Sequence, residues 1–214
     1  MPRPSAPPGR TGRPPVTSRA QILAVARRLI DQDGWAKLSI RRLAAEIGIG
    51  PTTLYHHVRD KEDLLILLLR EYADQLPRPV LPAGPRDRIV VAAATIHEAL
   101  AAWPWAAEVL TTDGFLGRLG DSARWLVEAI VAAAVDHGCT PAEGVYVFRS
   151  IWYYTVGEIL VRAHSAGQPA DRDAFTAAAL DDSELPREWP ELVAQNTFRR
   201  GLEAFVDGLL AQPV

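Results

Sequence analysis

The stretch "IRRLAAEIGIGPTTLYHHVRDKEDLL", residues 40–65, decides the reading of this chain. Its first eight residues put Leu43, Ala44 and Ile47 on one helical face and Arg41 and Arg42 on the other, and Ser39 stands where an N-cap belongs. Gly48 permits the positive φ of a tight turn. Gly50 then precedes Pro51, a residue suited to the first turn of a new helix. The pattern predicts that helix over residues 51–57. Leu54 and Val58, four apart, pack it down, which leaves Thr52, Thr53, Tyr55, His56 and His57 facing outward or sideways. So short a helix is not stable alone. Its packed face pins it, and the polar face is thereby presented. Asp60 caps the next helix, with Asp63 in a capping-box-like place, and Leu64, Leu65, Leu67, Leu68 and Tyr72 make that helix strongly apolar.

Upstream, Thr17 or Ser18 caps a helix running to about Asp31, with Ile22, Leu23, Ala26, Leu29 and Ile30 in one stripe. Gly34 ends it, and Trp35 and Leu38 anchor the connection. Two short helices joined by a glycine turn and leaning on a longer one make a helix-turn-helix. Before it, residues 1–16 hold six prolines, two glycines and three arginines, a composition that predicts disorder. After it, "PRPVLPAGP" reads as a hinge. Helices are then expected over 86–102, up to a break at "WPW" (Trp103 to Trp105), to Leu110, over 115–137, over 141–166 and over 191–210. The polar stretch at 167–190 reads as a partly ordered loop. No strand pattern or internal repeat is seen, so the expected fold is all-α. Its parts are a tail (1–16), a helix-turn-helix domain (17–62), a linking helix and hinge (63–84) and a larger helical domain (85–214).

Hydrophobic residues make up 48% of the 214 and charged residues 23%, as in a water-soluble globular chain. No run is apolar over the roughly 18 residues of a membrane helix, and the Pro- and Arg-rich start is not a secretory signal. Cys139 is the only cysteine, which excludes an intramolecular disulfide and points to a reduced, cytoplasmic setting. The net charge of −3 conceals a split. Residues 1–62 carry 11 Arg plus Lys against 5 Asp plus Glu, whereas residues 63–214 carry 12 against 21. A basic front on an acidic body fits a polyanion partner for the front alone.

Residues 20–65, "AQILAVARRLIDQDGWAKLSIRRLAAEIGIGPTTLYHHVRDKEDLL", resemble the TetR-type family of bacterial transcriptional repressors, and "TTLYHHVRDK" is most similar to its tetracycline-repressor branch. The resemblance implies a homodimer that grips a palindromic double-stranded DNA operator and releases it when the body binds a small effector. It implies that Arg41 reaches a base edge or a phosphate, and that Pro51 and Thr52 meet bases. Pro51 departs from the polar residue of the tetracycline-repressor branch. Thr53 and Tyr55 match phosphate or base-neighbour positions, with packing an alternative for Tyr55. His57 and Lys61 match phosphate contacts, His56 lies at the DNA surface, Arg42 faces the same side, and Ser39 is mainly a cap. The histidine pair is not read as a metal site. Neighbours on a helix diverge by about 100°, and no Cys or carboxylate completes a set.

In the body, candidate effector contacts are aromatic and polar groups on the same helices: His97, Trp103, Trp105, Phe148, Arg149, Trp152, Tyr153 and Glu158. Each could instead be ordinary core. Candidate dimer-interface residues are Ile151, Thr155 and Ile159 on the long helix and Phe198, Leu202, Phe205, Val206 and Leu209 on the last, two stripes that a twofold axis would turn into a four-helix interface. They could equally serve the monomer core. No cofactor or metal is expected. An enzyme is disfavoured, since there is no phosphate loop, HExxH, CxxC or nucleophile elbow. A non-specific architectural DNA binder remains an alternative. Repression and activation are not separable from sequence.

Overall fold

The computed structural model describes residues 18–111, 115–166 and 195–211. The expectations for the tail, for Thr17 and for the loop at 167–190 lie outside the described residues, as do residues 191–194 of the last expected helix. The described residues hold helices and no strand. They form two compact units, residues 1–64 and 65–214.

The first unit holds α1 (Arg19–Asp33), a 3-10 turn (Trp35–Lys37), α2 (Ile40–Ile47) and α3 (Pro51–Tyr55). Ser18 caps α1 through a capping box with Gln21, and Ile22, Leu23, Ala26, Leu29 and Ile30 are buried as the periodicity predicts. α1 runs two residues past the expected end, to Gly34 at φ 83°. Ser39 Oγ accepts from the Arg42 N–H at 3.2 Å, the expected cap of α2. Gly48 closes α2 at φ 80°, ψ 29°, with its own N–H on the Ala45 carbonyl and the Ile49 N–H on the Ala44 carbonyl. That is a Schellman end, and the left-handed region makes glycine the residue for it.

α4 (Lys61–Gln75) is one continuous helix, and the boundary between the units falls within it, at Leu64. Leu65, Leu68 and Leu69 are buried, and the Tyr72 hydroxyl donates to the Ala99 carbonyl at 3.0 Å. The C-terminal part of α4 therefore belongs to the larger unit and is no separate link. The Pro-rich stretch is likewise anchored, with the Arg78 guanidinium 5.4 Å over the Trp125 ring.

The second unit continues with α5 (Pro85–Ala102), α6 (Pro104–Leu110), α7 (Phe115–Arg118), α8 (Asp121–His137), α9 (Pro141–Ala166) and α10 (Phe198–Ala211). Pro104 breaks the chain as expected, and α5 and α6 meet at 109°. Two expectations fail. The helix expected over 115–137 is split by Gly120 at φ 62°, ψ −141°, a conformation no helix contains. The Arg70 guanidinium, from α4, caps the shorter piece at the Arg118 carbonyl. The last helix starts at Phe198, after non-helical residues 195–197, where Asn196 Oδ1 accepts from the Phe198 N–H at 3.2 Å.

α5, α8, α9 and α10 share one core around Ile89, Ile130, Ile151, Leu202 and Val206, all at most 1% exposed. Gly201 is placed by close approach, since a Cβ there would lie 2.2 Å from the Tyr154 hydroxyl oxygen. Gly201→Ala should therefore destabilise the chain by about 1–3 kcal/mol through overpacking. Thermal unfolding measures it, and Tyr154→Phe, which removes the clashing oxygen, should restore much of the loss.

Candidate nucleic-acid interface and effector cavity

In the first unit Leu54 is fully buried and Val58 2% exposed. These two side chains orient α3. Pro51, Thr52, Thr53, Tyr55 and His56 are exposed, Tyr55 by 54%, and His57 is half-buried. α3 is two residues shorter than expected, because the chain tightens after Tyr55, where the His56 N–H reaches the Thr53 carbonyl at 3.2 Å. Arg41 is exposed on α2 and makes no hydrogen bond or ion pair among the described residues. A free guanidinium thus stands in the same unit as a row of short polar side chains, which is the chemistry that reads base edges.

Arg42 has a partner within its own unit. Its guanidinium pairs with the Asp33 carboxylate at the end of α1, and that hydrogen bond holds Asp33 below the usual carboxylate range. Arg42 ties α2 to α1 through one guanidinium nitrogen and stays partly exposed. Lys61 is half-buried, donates to the Ala36 carbonyl at 3.0 Å and sits 5.0 Å over the Trp35 ring. Burial lowers its ammonium below the usual lysine range. Lys61 therefore fastens the start of α4 to the 3-10 turn with one N–H and keeps two for another acceptor. No three His, Cys, Asp or Glu side chains among the described residues come together as a metal set.

In the second unit the eight candidate effector residues do not converge. Phe148 and Trp152 line a cavity of about 70 Å³, together with Leu69, Tyr72 and Ala73 of α4 and residues of α5, α6 and α8. Trp103 stacks on Tyr72 at 4.2 Å and stands 5.4 Å from Trp105, whose indole N–H is buried without a partner among the described residues. Arg149 and Tyr153 are exposed and satisfy each other, guanidinium to hydroxyl at 2.9 Å. His97 and Glu158 meet at 2.8 Å, Arg162 holds the second carboxylate oxygen at 2.7 Å, and the His97 ring stacks on Phe198 at 3.6 Å. Arg149 and Tyr153, and the His97–Glu158 pair, lie outside the cavity wall. The wall residues missed in the sequence, Leu69, Tyr72 and Ala73 above all, looked like part of a linking helix. Their signal was the unbroken apolar run from Leu64 to Leu69, wider than one helical face, which calls for neighbours on more than one side.

Most of the expected dimer residues are taken up within their own chain. Ile151, Thr155, Ile159, Phe198, Leu202 and Val206 are each at most 4% exposed within the single chain. They fill the core of the single chain. Phe205 and Leu209 are half-buried. The large side chains that α9 leaves exposed are on other faces: Val145 49%, Tyr146 48%, Tyr153 60% and Val161 68%. On α10 the exposed positions include Ala204, Gly208 and Ala211, all small.

Residues 22–68 match the family model described as bacterial regulatory proteins, tetR family. An HTH-type transcriptional regulator of Saccharopolyspora erythraea is 31% identical over 92% of this chain and 86% of its own length. The chain belongs to the tetR family. The Escherichia coli tetracycline repressor protein class D is 26% identical over 91% of this chain and 90% of its own. Among solved structures, Mycobacterium smegmatis BioQ superposes with a TM-score of 0.69 at 24% identity, over 91% of this chain and 99% of that one. The protein is therefore a helix-turn-helix transcriptional regulator and not an enzyme, with the helical fold expected. Among the described residues no single helix is long and apolar enough to cross a membrane.

Proposed function

We propose that this regulator is a cytoplasmic homodimeric repressor that reads a palindromic operator and lets go of it when a small molecule enters the second unit. The observation that carries the reading of DNA is the exposed face of α3, held out by buried Leu54 and Val58, with unpaired Arg41 beside it in sequence on α2. Thr52 and Pro51 meet bases, Arg41 meets a guanine edge, and Thr53, Tyr55, His56, His57 and Lys61 take the backbone and its surroundings. A dimer places two such helices in successive major grooves, roughly 34–36 Å apart. BioQ, a fold neighbour, has been solved with its double-stranded DNA operator. Release follows from α4, which runs unbroken from Lys61 into the cavity wall at Leu69 and Tyr72. A molecule that binds better to the DNA-free state moves the equilibrium by its differential affinity.

Selection of binding sites from random duplex DNA at fixed physiological salt tests the reading. An enriched inverted repeat is expected. Binding that follows salt and ignores sequence would instead identify an architectural protein. With the site known, Arg41→Ala should weaken operator binding by about 1–3 kcal/mol and relax preference at one base pair per half-site. Competition against operators altered at each position measures this, and an equal loss on all sequences would reassign Arg41 to a phosphate.

The second copy rests on family membership and on what α9 and α10 leave open. Tyr146, Tyr153 and Val161 offer exposed apolar surface, and Ala204, Gly208 and Ala211 let two helices approach closely. These residues replace the buried stripe as the dimer face.

A further inference from the structure

We propose that the effector is an uncharged, largely hydrocarbon molecule, bound against the C-terminal half of α4 without any ion pair to the protein. This rests on reading the cavity as the effector site. The wall is drawn from α4, α5, α6, α8 and α9 and contains no charged residue and no amide, hydroxyl-bearing Ser or Thr, or histidine. Its polar side-chain atoms are the Tyr72 hydroxyl, already donating to the Ala99 carbonyl at 3.0 Å, and the Trp152 indole N–H. Burial pushes the Tyr72 phenol above its usual range, so it stays neutral.

The charges around the wall are paired with one another: Arg124, which borders an adjoining space with Ala123, Val127 and Phe148, holds Asp121 at 3.0 Å. His97, Glu158 and Arg162 satisfy one another at 2.8 and 2.7 Å, and Arg149 turns outward to Tyr153. A carboxylate or ammonium entering this wall would lose its hydration and gain no partner, which costs several kcal/mol, about a hundredfold or more in affinity. An apolar molecule meets no such penalty and gains about 25 cal/mol for each Å² of its surface removed from water.

The cavity of about 70 Å³ is smaller than the roughly 300–1,000 Å³ of a typical ligand site. Binding must therefore part the walls. Trp152 is half-buried and the Ala73, Ala99, Ala106 and Ala123 positions present only methyl groups, so the space opens by displacing α4 or the Trp152 ring. Displacement of α4 is the movement that release requires.

Two fluorescent probes share one skeleton and differ in charge: N-phenyl-1-naphthylamine is neutral, and 1-anilinonaphthalene-8-sulfonate is an anion. Each is titrated into the full chain, into Ala123→Trp, and into Val127→Phe, a milder filling of the same wall that guards against misfolding. The neutral probe should bind at least about tenfold tighter than the sulfonate. Both filling variants should weaken it, and both should keep the helical circular-dichroism signal of the unaltered chain. Equal binding of the sulfonate, abolished by the filling variants, would overturn the uncharged class while leaving the cavity as the effector site. Binding of both probes that neither filling variant alters would overturn the cavity itself, and the proposal with it.

Discussion

Leu54→Ala should abolish operator binding while the second unit stays folded. Leu54 is fully buried, and emptying such a site costs about 2–5 kcal/mol. The first unit is small, and α3 is only five residues long, so it has no stability to draw on except this packing. Its neighbours cannot take over. Val58 is one turn further on, and Thr52, Thr53 and Tyr55 point away from the core. Loss of Leu54 therefore frees the whole reading face rather than removing one contact. Amide exchange across residues 40–60 and across α8 separates the two units, and operator titration reads the consequence. Protection lost only in the first unit, with affinity lost at least about a hundredfold, is expected; this converts to about 2.7 kcal/mol. Wild-type affinity would mean that α3 is held by something other than Leu54. The surface change Thr52→Ala is the counterpart, since it should alter base preference and leave thermal unfolding unchanged.

The sequence was most informative where local chemistry and packing agree. Ser39, Gly48, Pro51 and the Leu54–Val58 pair each demand a particular backbone, and together they specify a helix-turn-helix before any fold is consulted. It was least informative where partners are far apart along the chain. Arg42 looks like any outward arginine of α2, and only the fold shows Asp33 nine residues earlier taking its guanidinium. His97 and Glu158 are 61 residues apart, and nothing local says that they satisfy each other. Gly120 sits in a stretch whose apolar spacing continues on both sides, so the helix was expected to continue as well. Hydrophobic periodicity also finds the strongest stripe on a helix without saying who covers it. On α9 that stripe, through Ile151, Thr155 and Ile159, is covered by the same chain. The weaker face, with Tyr146, Tyr153 and Val161, is the one left over.

Gly208→Glu should turn the dimer into a folded monomer and lower operator affinity by about 10²–10⁴-fold, the avidity that a second linked site supplies. Gly208 is exposed on α10, and a Cβ there meets nothing within 4 Å in its own chain. Within the single chain the change is harmless, and replacing an exposed helical glycine favours the helix by up to about 1 kcal/mol. Across the proposed twofold interface the same side chain would meet the surface that Ala204, Gly208 and Ala211 keep low, close to Asp207, and bring an unpaired charge into it. Operator affinity suffers because each half-site then binds its own subunit, with no gain in effective concentration from the other. Sedimentation equilibrium gives the mass. Titration of the full palindrome against a single half-site gives the second readout. The wild type should prefer the palindrome strongly, and the variant should bind both with nearly one affinity. A variant that remains dimeric would move the interface away from this face of α10. A monomer that kept full affinity for the palindrome would show that the two reading heads act independently.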